Sequence, residues 1–282
     1  ADGESMRPLV ADLVTAYVAR SADTTPEFVP LAVQFADYAI WQHHVLGDPA
    51  DPESVVGRQL THWVAELAGL PDVIDLPTDR PRPRVATHRG ARMQVAIPAE
   101  IADRIAATAA ERGVTSFMVV HAALSVLLAR LSGSTDIAVA TPVAGRGHAV
   151  LDPLVGMFVN SVVLRTAVDG ARGFGDLIDQ VWRTDLEALS QAELPFEQVV
   201  AAVNPPRTGR HPLFQIVLAL DAGPAGLAGQ LDRRLVGFRP RVAEEHYIRK
   251  GRLDQPLPEA LAAGNLEQGI GDREGGEDPA HR

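Results

Sequence analysis

Cysteine is absent from all 282 residues, which excludes disulfides, thiolate nucleophiles and cysteine-ligated zinc. Lysine is nearly absent: Lys250 stands alone, and the basic residues are otherwise arginine. Positive charge is in deficit, with 26 Lys+Arg against 36 Asp+Glu and a formal net charge of −10. The arginines are scattered, so neither nucleic acid nor a membrane surface is an expected partner. Long hydrophobic runs are missing too. The most apolar stretch, residues 117–131, is interrupted by His121, Ser125 and Arg130 and is too short to span a bilayer. It reads as a buried helix. No basic and apolar leader opens the chain, whose first residues are Ala1-Asp2-Gly3-Glu4-Ser5, and a cytoplasmic location is expected. A start this abrupt, without Met, reads as a fragment. No glycine-rich loop follows a strand, so nucleotide binding is unsupported. His62 and His88 lack partners at ligand spacing, so no metal site is expected.

What is present is ordinary globular material, 46% hydrophobic and 22% charged, enough for one substantial core or two small ones. Ser5 is placed to cap a helix whose Met6, Leu9, Val10, Leu13, Val14 and Tyr17 make an apolar stripe at helical spacing. A polar connector, 21–30, leads to residues 31–46, where Phe35, Tyr38 and Trp41 recur every third position on one helical face. Gly47 to Pro52 breaks that element, and Ser54 caps a helix presenting Leu60, Trp63, Val64 and Leu67. Residues 71–90 are rich in proline and arginine and read as an extended surface loop.

Strands and helices then alternate. Residues 91–97 alternate as a half-buried strand. Pro98 starts a helix ended by Gly113, and Thr115 caps the apolar helix that Gly133 closes. Residues 136–141 and 157–168 read as strands and 174–192 as a helix. A short helix at 196–203 and a strand at 213–220 follow. This order predicts an α/β sandwich, one mixed sheet covered by helices. Residues 264–282 are charged, glycine-rich and nearly devoid of large apolar groups, so much of the tail is expected to be disordered.

Six short segments carry a resemblance. Asp2-Gly3 with Ser5-Met6 looks like the end of a His-His-x-x-x-Asp-Gly motif. Tyr38 and Trp41 match an aromatic segment, and Thr141-Pro142-Val143-Ala144-Gly145-Arg146 a further turn. Val155-Gly156-Met157-Phe158-Val159-Asn160 matches Gly-x-Phe-Val-Asn, Leu194-Pro195-Phe196-Glu197 matches Pro-Phe-Glu, and Arg207 to Phe214 is similar to Arg-x-x-x-x-Pro-Leu-Phe. In this order they resemble the condensation domains of nonribosomal peptide synthetases over residues 1–220; the tail beyond Leu220 does not resemble what that family places there.

The resemblance implies a chloramphenicol acetyltransferase-like fold, two lobes with a channel between them. Residues 1–20 would end the first lobe, 21–90 would form the crossover, 91–222 the second lobe and 223–282 a divergent tail. It implies an acyltransferase that forms an amide bond between two carrier-bound thioesters. Phosphopantetheine arms would be substrates, no cofactor would be bound directly, and carrier and adenylation domains would be partners. Both histidines of the motif would precede Ala1, so the chain alone is expected to be inactive.

Within the resemblance Asp2 and Gly3 belong to the catalytic motif, with Asp2 structural: it would brace the loop by pairing with an arginine, and Arg146 is the candidate. Asn160 is either a strand-end amide satisfying nearby backbone or a channel-lining group. Gly156 would permit close backbone approach, and Phe158 would pack in the core. Pro195 to Glu197 suits a helix start. Arg207, Arg210 and His211 are either a solvated loop or a contact to a carrier's phosphate or to the other lobe. His43-His44 imitates the histidine motif, but its position after Trp41 and Pro49 in place of Gly point to a solvated helix end. Two alternatives remain: another thioester-dependent acyltransferase of the same superfamily, or a non-catalytic docking domain.

Overall fold

The computed structural model describes residues 1–220 apart from Arg84, Ala86 and His88. The expected tail, residues 223–282, lies outside the described residues, as does His88. Within them the chain forms two compact units, residues 1–45 with 146–158 and residues 46–145 with 159–220.

In the first unit, α1 (Met6–Ser21) keeps its apolar stripe in the open: Leu13 is 66% and Tyr17 73% exposed, and no residue of the helix is buried. Helical periodicity records that a face is apolar, and says nothing of what meets it. α2 (Phe35–Leu46) behaves differently. Its three-residue aromatic spacing puts Phe35, Tyr38 and Trp41 on one side, with ring centroids 6.0 and 5.9 Å apart. Val33, Tyr38 and Trp41 close a core with Leu151, Leu154 and Phe158, whose ring meets Tyr38 at 4.8 Å and Phe35 edge-on at 5.2 Å.

The second unit begins at Leu46. In α3 (Val55–Glu66) the Ser54 side chain accepts the Gly57 N–H, the cap expected from the sequence. α4 (Ala99–Arg112) follows Pro98 and stops at Gly113, where φ is 66°. α5 (Ser116–Ser132) is capped by Thr115, which accepts the Met118 N–H at 3.2 Å. β1 (Asp136–Val143) pairs antiparallel with β2 (Asn160–Ala167), from Asp136 opposite Ala167 to Val143 opposite Asn160. On its other edge β1 receives a parallel bridge at Val217: Ala140 N–H donates to Ile216 and Ala140 O accepts from Leu218, both at 2.9 Å. The sheet among the described residues is thus two antiparallel strands with one isolated parallel bridge at an edge. α6 (Phe174–Ser190) packs on α5 and β2, and α7 (Phe196–Val203) packs on α3 and β2. Ala140, Val162 and Leu164 of the sheet are buried together with Val56 and Trp63 of α3 and Val199 of α7. The α/β sandwich is what the sequence predicts.

Three expectations are corrected. Residues 91–97 form no strand: Met93 is 82% and Val95 74% exposed, and no backbone hydrogen bond joins this segment to another described residue. Alternation supplies a strand's side chains but not the neighbouring ladder that defines one. The expected strand at 213–220 reduces to the single bridge at Val217. The strand expected over 157–168 starts only at Asn160, because the Phe158 N–H is already spent on the Asp2 carboxylate.

Candidate functional site

In the first unit the segment before α1 folds on itself. Asp2 is 8% exposed, and each of its carboxylate oxygens is engaged. Oδ1 accepts from the Ser5 N–H at 2.9 Å, the Ser5 hydroxyl at 2.7 Å and Arg146 Nη2 at 3.2 Å. Oδ2 accepts from the Phe158 N–H at 3.0 Å, and the Asp2 N–H donates to Gly156 O at 3.0 Å. Ser5, wholly buried, is the hub. Its Oγ lies 2.8 Å from Gly156 O and accepts from Gly156 N–H at 3.0 Å and Arg146 Nη2 at 2.9 Å. The hydroxyl proton therefore faces two acceptors, Asp2 Oδ1 and Gly156 O, while both lone pairs are taken.

The Arg146 guanidinium is anchored on its far side by Leu151 O and stands 4.1 Å over the Phe158 ring. Burial pushes the Asp2 carboxyl up. The Ser5 hydroxyl, the Phe158 and Ser5 N–H groups and Arg146 overcome that and hold it well below the usual carboxylate range. Asp2 is thus a fixed anion and no proton carrier at neutral pH. One expectation is corrected here: Ser5 does not cap α1 with its side chain, since its hydroxyl is committed to this network.

Gly156 is required by its surroundings, since a Cβ there would sit 2.2 Å from a ring carbon of Phe35. Gly3 is not, because a Cβ added to it would meet nothing within 4 Å.

In the second unit Asn160 is saturated by backbone. Its Nδ2 donates to Ala192 O at 2.9 Å and Leu194 O at 2.7 Å, and Oδ1 accepts from the N–H groups of Ser161 at 2.9 Å and Phe196 at 3.0 Å. Of the two readings of Asn160, the geometry is that of an amide satisfying neighbouring backbone. Two residues join it that the sequence does not reveal. Gln59 Oε1 accepts the Leu194 N–H at 2.8 Å, and Trp63 Nε1 donates to Gln191 O at 3.1 Å. Three side chains thus pin the turn carrying Leu194-Pro195-Phe196-Glu197. Gln59 left one signal, a polar residue on the inward face of α3 among Val56, Leu60 and Trp63.

Arg207 is exposed. Arg210 reaches Ile74 O at 3.5 Å, and His211 stacks on Phe196 at 5.6 Å and meets Phe214 at 4.2 Å. His43 and His44 are both exposed, near the end of α2. Among the described residues no three His, Cys, Asp or Glu side chains converge as a metal would require.

A family model for the condensation domain matches residues 1–234. The chain belongs to the condensation domain family. It is 45% identical over 274 residues to an isonitrile lipopeptide synthase of Mycobacterium tuberculosis, covering 96% of this chain and 11% of that protein. To a dimodular nonribosomal peptide synthase of Bacillus subtilis it is 44% identical over 224 residues, 79% of this chain and 9% of the other. Among solved structures, a teicoplanin-biosynthesis X-domain in complex with OxyB matches with a TM-score of 0.73 at 32% identity, over 77% of this chain and 48% of that one. The chain therefore spans a small part of these synthetases and about half of that X-domain. That Mycobacterium tuberculosis match spans 274 residues, whereas the Bacillus subtilis match spans 224.

Proposed function

We propose that this condensation domain chain works within a nonribosomal peptide synthetase to join two carrier-bound thioesters. The acceptor's amine attacks the donor's thioester carbonyl; a C–N bond forms, the C–S bond breaks, and the carrier thiol leaves with the amine's proton. The observation that supports this reading most is the Asp2–Ser5–Arg146–Gly156 network. It holds the segment that, in the family motif, follows the working histidine. Asp2, Ser5 and Arg146 are positioning residues here: they fix that segment and take no proton. Asn160, Gln59 and Trp63 support the turn at Pro195 in the same sense. The phosphopantetheine arms of the carriers are substrates, and carrier and adenylation domains are the partners. Arg207 and Arg210 are candidates for contact with a carrier's phosphate or with the other lobe.

The test is single-turnover condensation between loaded carriers by the synthetase that contains this chain. Arg146→Ala is expected to lower the rate about a hundredfold, since misplacing a reacting group by about 1 Å costs that much, while carrier capture persists. The X-domain complex with OxyB favours one second reading, a docking surface. A synthetase that captures partners but makes no amide, with or without Arg146, overturns catalysis and supports docking.

A further inference from the structure

Inside the second unit lies a polar cluster that plays no part in the proposed chemistry. His121 on α5, Asp185 on α6, Thr166 on β2 and Ser125, one turn along α5 from His121, are each 0% exposed. His121 Nδ1 hydrogen-bonds Asp185 Oδ2 at 3.1 Å and lies 3.0 Å from Oδ1, an oxygen that accepts no hydrogen bond from a described residue. His121 Nε2 faces Thr166 Oγ1 at 3.5 Å, and Ser125 Oγ has no partner among the described residues. Among the described residues no cation other than His121 acts on this carboxyl. α4 meets α5 and α6 through Ile105 and Ala109, and the charged side chains of α4, like the others of α5 and α6, are exposed. The ion pairs on the packed elements are made elsewhere: Arg112 with Asp179, Arg165 with Asp136 and His62 with Glu187.

A neutral imidazole beside an ionised carboxylate would leave one net negative charge fully buried on a single hydrogen bond, an expensive arrangement. One additional proton makes the pair neutral overall, on either residue. We infer that the His121–Asp185 pair folds holding one proton that the unfolded chain gives up near neutral pH, so that the packing of α6 against α5 weakens in alkali. Burial pushes the Asp185 carboxyl up, and the hydrogen bond and charge of His121 only partly offset this. The sign follows from proton counting. Above about pH 6.5 the unfolded pair holds no proton and the folded pair holds one, so stability falls as pH rises. Below about pH 4 the unfolded pair holds two, so stability falls again in acid. Between these values the pair is neutral to pH.

The test is urea unfolding of the whole chain between pH 5 and pH 8.5, for wild type and for the doubly substituted His121→Gln, Asp185→Asn, whose amides keep a hydrogen bond and do not titrate. The ratio of the two unfolding constants removes every other titration. It is expected to rise several-fold between about pH 6.5 and pH 8.5; a ratio constant within about twofold overturns the inference. Should the double variant not fold, ring-nitrogen and carboxyl NMR of wild type decides. A doubly protonated His121 ring or a protonated Asp185 carboxyl at pH 7.5 supports the held proton, and a singly protonated ring beside an ionised carboxyl refutes it.

Discussion

A carboxylate stays ionised at 8% exposure in Asp2 because four donors aim at it, and Arg146 is only one of them. The Ser5 hydroxyl does more to favour the anion than the guanidinium does. Removing it strands the Gly156 N–H and leaves Arg146 Nη2 only its bond to Asp2 Oδ1. Ser5→Ala is therefore expected to cost about 1–3 kcal/mol in urea unfolding. Asn160→Ala leaves four backbone groups unpaired at one turn and is expected to cost about 2–4 kcal/mol. Asn160→Asp should be no milder, because it turns an acceptor toward the carbonyls of Ala192 and Leu194. Thermal unfolding followed by tryptophan fluorescence measures both; an Asp variant as stable as wild type would show the amide nitrogen to be dispensable.

Among the elements, α2 and the 155–158 loop meet where Gly156 faces Phe35. Gly156→Ala drives a methyl into that ring, and overpacking of this kind costs about 1–3 kcal/mol. Adding Phe35→Leu should recover part of the loss, and the coupling in a double-mutant cycle measures how much of the cost is the ring. The helices differ in what they contribute. Trp63 of α3 is 3% exposed, and Trp63→Ala is expected to cost about 3–5 kcal/mol. Leu13 of α1 is 66% exposed, and Leu13→Gln is expected to shift stability by no more than about 0.5 kcal/mol.

Across the whole molecule Asp2 bears on the acid end of the pH scale, and the His121–Asp185 pair bears on both ends. Asp2 has a depressed pKa in the folded chain, so its contribution is complete above the unfolded value, about 3.9, and is lost as pH falls below it. The His121–Asp185 pair loses its contribution as pH rises. The urea midpoint plotted against pH should form a plateau between about pH 4 and pH 6.5 with a falling limb on each side. Asp2→Asn should make the acid limb shallower, leaving the share of the His121–Asp185 pair, and should leave the alkaline limb unchanged. An unchanged acid limb in that variant would mean other carboxylates set it.

The sequence by itself determined the helices, their caps at Ser54, Thr115, Gly113 and Gly133, and the family, because these reside in local spacing and short ordered motifs. It also brought Asp2 and Arg146 together as candidates, through the resemblance. Only the tertiary structure decided that Ser5 is a hub rather than a cap and that Asn160, Gln59 and Trp63 hold one turn. It alone showed that residues 91–97 lack a ladder among the described residues. The physical reason is distance along the chain: Ser5 meets Gly156, and Gln59 meets Leu194, across more than a hundred residues. A hydroxyl or an amide signals that it must be satisfied when buried, but which partner satisfies it is set where the chain returns.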